Sequence, residues 1–247
     1  MRWWWASLYL LFLGARMAAA QQSSCGDCHI ANPQSDPLPG HTADWESSAH
    51  GRNQVGCEKC HDGDASTFES FLAHRGVLTG RNPASPIHRV NLPRTCGKCH
   101  IGPFVEFQKS RHYQLLQESR GEGPTCSTCH GEVAARLLSP RALEKRCDTC
   151  HGAKGVHPNS DYAPDGRILL EEVRAIRTLL EPAPRLIDRV KDPARRKSLL
   201  EAYEQAQVPL KEAVNSAHAF VFDQMRERLS AAKLKSEALL TELANPN

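Results

Sequence analysis

No cysteine of this chain lies outside one short repeated pattern, so none is left for a structural disulfide or a lone catalytic thiol. Methionine is almost as restricted. There are three, and Met1 and Met17 fall in the N-terminal stretch, which leaves Met225. A general supply of thioether ligands is thereby excluded. Aromatic residues make up only 6% of the 247 residues, too few large side chains for an ordinary core throughout. Charge of one sign is lacking too: 31 basic residues face 28 acidic ones, for a net charge of +3. No basic patch with interleaved aromatics occurs, and nucleic-acid binding has no support. After residue 20 no apolar run approaches membrane-spanning length.

The first 20 residues read as a secretory signal peptide. Arg2 is its positive start, Trp3 to Ala15 its apolar run, and Ala18-Ala19-Ala20 the small-residue cleavage site before Gln21. The run is too short for a spanning helix, although Arg16 directly after it is unusual for a cleavable peptide. The expected location is the periplasm, or the extracellular or membrane-surface side, with no transmembrane helix after cleavage.

What is present is Cys25-Gly26-Asp27-Cys28-His29 and four echoes of it. They are Cys57 to Cys60 with His61, Cys96 to Cys99 with His100, Cys126 to Cys129 with His130, and Cys147 to Cys150 with His151. C-x-x-C-H is the attachment pattern of c-type haem. Two thiols add across the porphyrin vinyl groups and the adjacent His binds iron from the proximal side. Zinc-ribbon or redox C-x-x-C pairs would leave the repeated His unexplained. Five covalent haems are expected, and their propionates make the holoprotein acidic.

Seven His remain for the opposite faces. His50, His74, His112, His157 and His218 are the first candidates as distal iron ligands; His41 and His88, in loops, are the weaker ones. With Met225 the only methionine left, bis-His ligation and low potentials are the default. Trp45-x-x-Ser48-x-His50 and Phe107-x-x-Ser110-x-His112 echo each other, which suggests one structural job done twice.

The predicted fold is mainly α. Residues 21–164 form a segment whose core is its haems, with short helices and long loops. Helices are expected over 41–50, 104–118 and 139–149. Residues 165–247 form a helical hairpin or three-helix element packed on that segment. Leu169, Val173, Ile176 and Leu180 share one face of a helix ended by Pro182 and Pro184. Asp192-Pro193 opens a second helix, to about Ala206. Pro209 kinks it or starts another, and Leu210–Ala244 reads as one long helix carrying His218. A partner-binding coiled coil is the other reading of this region.

The five motifs, the Trp45 to His50 element, the Cys147 to His157 run and the helix bearing His218 together resemble multihaem c-type cytochromes related to hydroxylamine oxidoreductase and pentahaem nitrite reductase. The small electron-carrying members look most similar. The resemblance implies distal His that bind haems remote in sequence, and haems in parallel and perpendicular pairs. One departure is that all five motifs end in His, where the nitrite reductases often carry Lys at the catalytic haem.

The function these features favour is electron transfer between a donor and an acceptor protein through closely packed haems, with no catalytic residue. Self-association into a longer array stays open. A second reading is an oxidoreductase acting on a small nitrogen or sulfur species at one open-coordinate haem, with Arg75, Arg111 or Tyr113 beside it. A third is a haem-stapled assembly subunit.

Overall fold

The computed structural model describes residues 23–35, 38, 40–118, 122–133 and 139–245. The signal-peptide reading of residues 1–20 lies outside them. The described residues are helical, with no strand among them. No helix among them is long and apolar enough to cross a membrane.

Short helices dominate the first part. They are α1 (Ser24–Ala31), α2 (His41–Ser47), α3 (Ala49–Arg52), α4 (Glu58–His61), α5 (Ser70–Ala73), α6 (Leu92–Gly97), α7 (Ile101–Phe107), α8 (Arg111–Glu118), α9 (Cys126–His130) and α10 (Pro140–His151). Two of the expected helices are broken in two. Ser48 interrupts the first: its Oγ donates to the Trp45 carbonyl at 2.6 Å and accepts from the Gly51 N–H at 3.1 Å. Ser110 does the same in the second, donating to the Phe107 carbonyl at 2.6 Å and accepting from the Tyr113 N–H at 3.1 Å. A serine side chain that bonds the backbone three residues to either side closes one helix and caps the next. The sequence echo is therefore a helix break that places a His near the start of the new helix.

Three long helices follow, α11 (Tyr162–Leu180), α13 (Pro193–Ser216) and α14 (Phe222–Ala244), with a short α12 (Ala183–Asp188) in the first connection. α11 carries Leu169, Val173, Ile176 and Leu180 on its buried face, as their spacing predicts. Pro182 and Pro184 sit at the start of α12, where a missing N–H costs nothing. Asp192 caps α13 by accepting the Arg195 N–H at 2.9 Å. α13 does not stop near Ala206: it runs through Pro209, which is buried with Leu210 against the bundle. The expected single helix over 210–244 is also corrected. The chain breaks at a 3₁₀ turn, Ala217–Ala219, and turns back through Phe220 before α14 begins. α13 and α14 are antiparallel, since the Arg195 guanidinium donates to the Glu242 carbonyl at 3.1 Å. α14 runs alongside α11, tied by Arg226 to Asp165 at 2.7 Å.

The apolar core lies almost wholly in this bundle. Leu169, Val173 and Ile176 of α11 meet Leu199 and Ala213 of α13 and Leu229 of α14. In the first part Phe107 and Leu116 are the buried large side chains, and most of the other buried residues there are small and polar. Leu229 is fully buried. Leu229→Ala should cost about 2–5 kcal/mol, read as a lowered thermal midpoint of the bundle.

The two parts are joined along α10 and α11, where Arg167 pairs with Glu144 at 3.2 Å. They also meet where α7 lies against the end of α13 and the turn after it. There a Cβ on Gly102 would stand only 2.9 Å from the Asn215 side chain, so glycine permits the approach.

Candidate haem-binding site

Each motif lies on or beside a short helix: α1, α4, the end of α6, α9 and the end of α10. None of the ten cysteines is joined in a disulfide. Burial, and next the charge of Cys25, push the Cys57 thiol up to about 11. Burial, and next the charge of Cys147, do the same for Cys129. These shifts also name neighbours, because screening leaves only charges within about 10 Å effective. Cys57 feels Cys25, Cys60 feels Cys96 and Cys99, and Cys129 feels Cys147 and Cys150. Cys96 and Cys126 share a hydrogen bond. The motifs are thus neighbours in space in the order in which they occur in the chain. Among the described residues no three His, Cys, Asp or Glu side chains converge as a metal-binding group.

Every motif His faces one other imidazole. His29 meets His74 at 6.0 Å between ring centres, His61 meets His41 at 5.8 Å and His100 meets His50 at 6.0 Å. His130 meets His218 at 6.1 Å, and His151 meets His112 at 5.9 Å. The interplanar angles are 71°, 86° and 67° for the first three, 22° for His130–His218 and 43° for His151–His112. Two imidazole nitrogens bound to one metal stand about 4 Å apart, which with both ring radii puts the ring centres about 6.4 Å apart. The five separations fit an iron held between each pair. Four of the five partners lie across another motif in the sequence.

Hydrogen bonds hold several rings by Nδ1, as metal-ligating His commonly are held. His74 Nδ1 bonds the Ser70 carbonyl at 2.8 Å, and His151 Nδ1 the His157 carbonyl at 2.9 Å. His218 Nδ1 bonds the Val214 carbonyl at 3.1 Å. His29 Nδ1 lies 3.3 Å from Ser35 Oγ, whose proton goes to the Asn32 carbonyl. Burial lowers the proton affinity of His61, His112 and His218, and that of His112 falls to about 4. Neutral imidazole, the ligand form, is favoured at all three.

His41, a weaker candidate by sequence, starts α2 and faces His61. The signal for it was its position just after Gly40, whose φ of +83° turns the chain into the helix. His157 and His88 make no such imidazole pair among the described residues. His157 contributes backbone instead: its carbonyl orients His151 and its N–H bonds the Cys150 carbonyl at 2.9 Å. His88 closes a turn through Ser85 and Asn91. Of the residues considered beside an open haem, Tyr113 packs on Phe107 at 5.6 Å, and Arg111 bonds Gln114 at 3.1 Å. Met225 is buried in the bundle core.

No curated protein and no solved structure matches the chain. Residues 83–152, which contain the third, fourth and fifth motifs, match the model of a family described as cytochrome c7 and related cytochrome c. That match supports reading the chain as a multihaem c-type cytochrome, an electron-transfer protein with covalently bound haem.

Proposed function

We propose that this chain is an exported pentahaem carrier of electrons between two redox proteins, with all five irons bound by two His. The observation that carries it is the set of five imidazole pairs, one for every motif and none shared. Haem with two imidazoles exchanges one electron with little rearrangement of its ligands, so carriage needs no further protein group. The chain's own work is placement. The motif cysteines fix five groups in chain order, and Ser35 and the carbonyls of Ser70, His157 and Val214 orient the rings. The serine breaks at Ser48 and Ser110 aim His50 and His112.

His218 gives the C-terminal bundle its part, as donor of the distal ligand for the fourth haem. The resemblance to small electron-carrying cytochromes of the hydroxylamine oxidoreductase group supports the same reading. The signal-like N-terminal stretch and the chemistry of haem attachment support export, with the periplasm as the carrier's location.

The test is the intact mass and spectrum of the purified holoprotein. Five covalent haems, wholly low-spin and unresponsive to CO, nitrite or hydroxylamine, are expected. Fewer than five haems, or one high-spin haem that turns over nitrite or hydroxylamine, would overturn the carrier reading.

A further inference from the structure

His112 is held differently from His74 and His218. His74 and His218 both bond a backbone carbonyl through Nδ1. The Nδ1 of His112 is buried and meets no hydrogen-bond partner among the described residues. What lies against this ring is Phe220, edge to face at 4.4 Å between centres and 79° between planes.

Phe220 occupies an unusual conformation. Its φ of +58° and ψ of +31° are left-handed, a region that bulky residues seldom enter. Such a conformation persists where the surroundings over-determine it. Here the turn between α13 and α14 has two tasks. His218, on the 3₁₀ segment, faces His130. Two residues later the chain must reverse direction and still bring a ring onto His112. A glycine would make the reversal easily, but it could not make the contact.

We propose that Phe220 is the positioning residue for the distal ligand of the fifth haem, holding the His112 ring toward His151 by packing where His74 and His218 are held by a hydrogen bond. The inference rests on the pentahaem reading. It makes one turn responsible for two adjacent haems, one through a ligand and one through the group that braces a ligand. It also makes His112 a distal ligand held without the electron-releasing hydrogen bond that strengthens an imidazole donor.

The experiment uses the full holoprotein and four variants, each first shown by mass to carry five haems. His112→Ala identifies the low-spin signal of the fifth haem by its loss. Phe220→Gly keeps the left-handed turn and removes the ring. It is expected to weaken that same signal and make the haem bind CO, while the signal lost in His218→Ala stays unchanged. Phe220→Tyr, which keeps the ring, is expected to match the unaltered protein. An unchanged fifth-haem signal in Phe220→Gly would overturn the proposal. So would a change in the His218-dependent signal, because Phe220 would then only shape the turn. A wild-type protein with fewer than five haems fails at the first mass measurement and strikes the pentahaem reading instead.

Discussion

Alanine at His41, His50, His74, His112 or His218 is expected to turn one of five low-spin centres high-spin, a different one in each variant. The same change at His88 or His157 is expected to leave all five low-spin. The physical basis is the pairing of rings: each of the five stands 5.8–6.1 Å from a motif His. Removing one strong imidazole donor leaves an iron held from one side, with an open position for CO. The contrast at His157 is the sharper half. Its imidazole can be removed while the carbonyl that orients His151 stays, because backbone survives the substitution. The measurement is the high-spin fraction and CO-difference spectrum of each variant. A low-spin His218→Ala would break the assignment of the fourth pair, and a high-spin His157→Ala would replace the one at the fifth.

Made without haem attachment, the chain is expected to keep helix only in its C-terminal bundle. That region buries Leu169, Val173, Ile176, Ile187, Leu199, Leu229 and Leu239, a core of its own. The part before it has Phe107 and Leu116, while Phe68, Phe71 and Ile101 are 68%, 81% and 63% exposed. Helices of four to eight residues, such as α3, α4 and α9, do not persist alone in water. Covalent haem, with its large apolar faces, supplies the burial that this composition does not. Limited proteolysis of the apo chain should therefore leave a fragment beginning near Tyr162. Complete digestion, or protection extending back to α1, would show that the division of stability lies elsewhere.

The haem anchors were legible because their chemistry is local: two thiols and an imidazole must sit within five residues. The bundle helices were legible because Leu169, Val173, Ile176 and Leu180 repeat at helical spacing. Pairings were not legible, since four of five rings cross an intervening motif and only folding brings them together. The Trp45 to His50 and Phe107 to His112 echo was visible, yet its cause was not. Ser48 and Ser110 act through bonds to carbonyls three residues away, a competition that helix periodicity does not register. The break at 217–221 was missed for a similar reason. Apolar spacing continues from Val214 through Val221 to Met225, so the pattern reads as one helix, while tertiary contacts require the chain to turn at His218.

The ring planes carry a consequence of their own. His130 and His218 lie 22° from parallel, whereas His61 and His41 are 86° apart. Parallel imidazoles draw on one iron d-orbital of π symmetry and split it from its mate; crossed imidazoles draw on both and leave the two nearly equal in energy. The fourth centre should thus give a rhombic electron-paramagnetic spectrum and the second a strongly axial one. A chain whose five sites share one chemical formula would in this way label its own members magnetically.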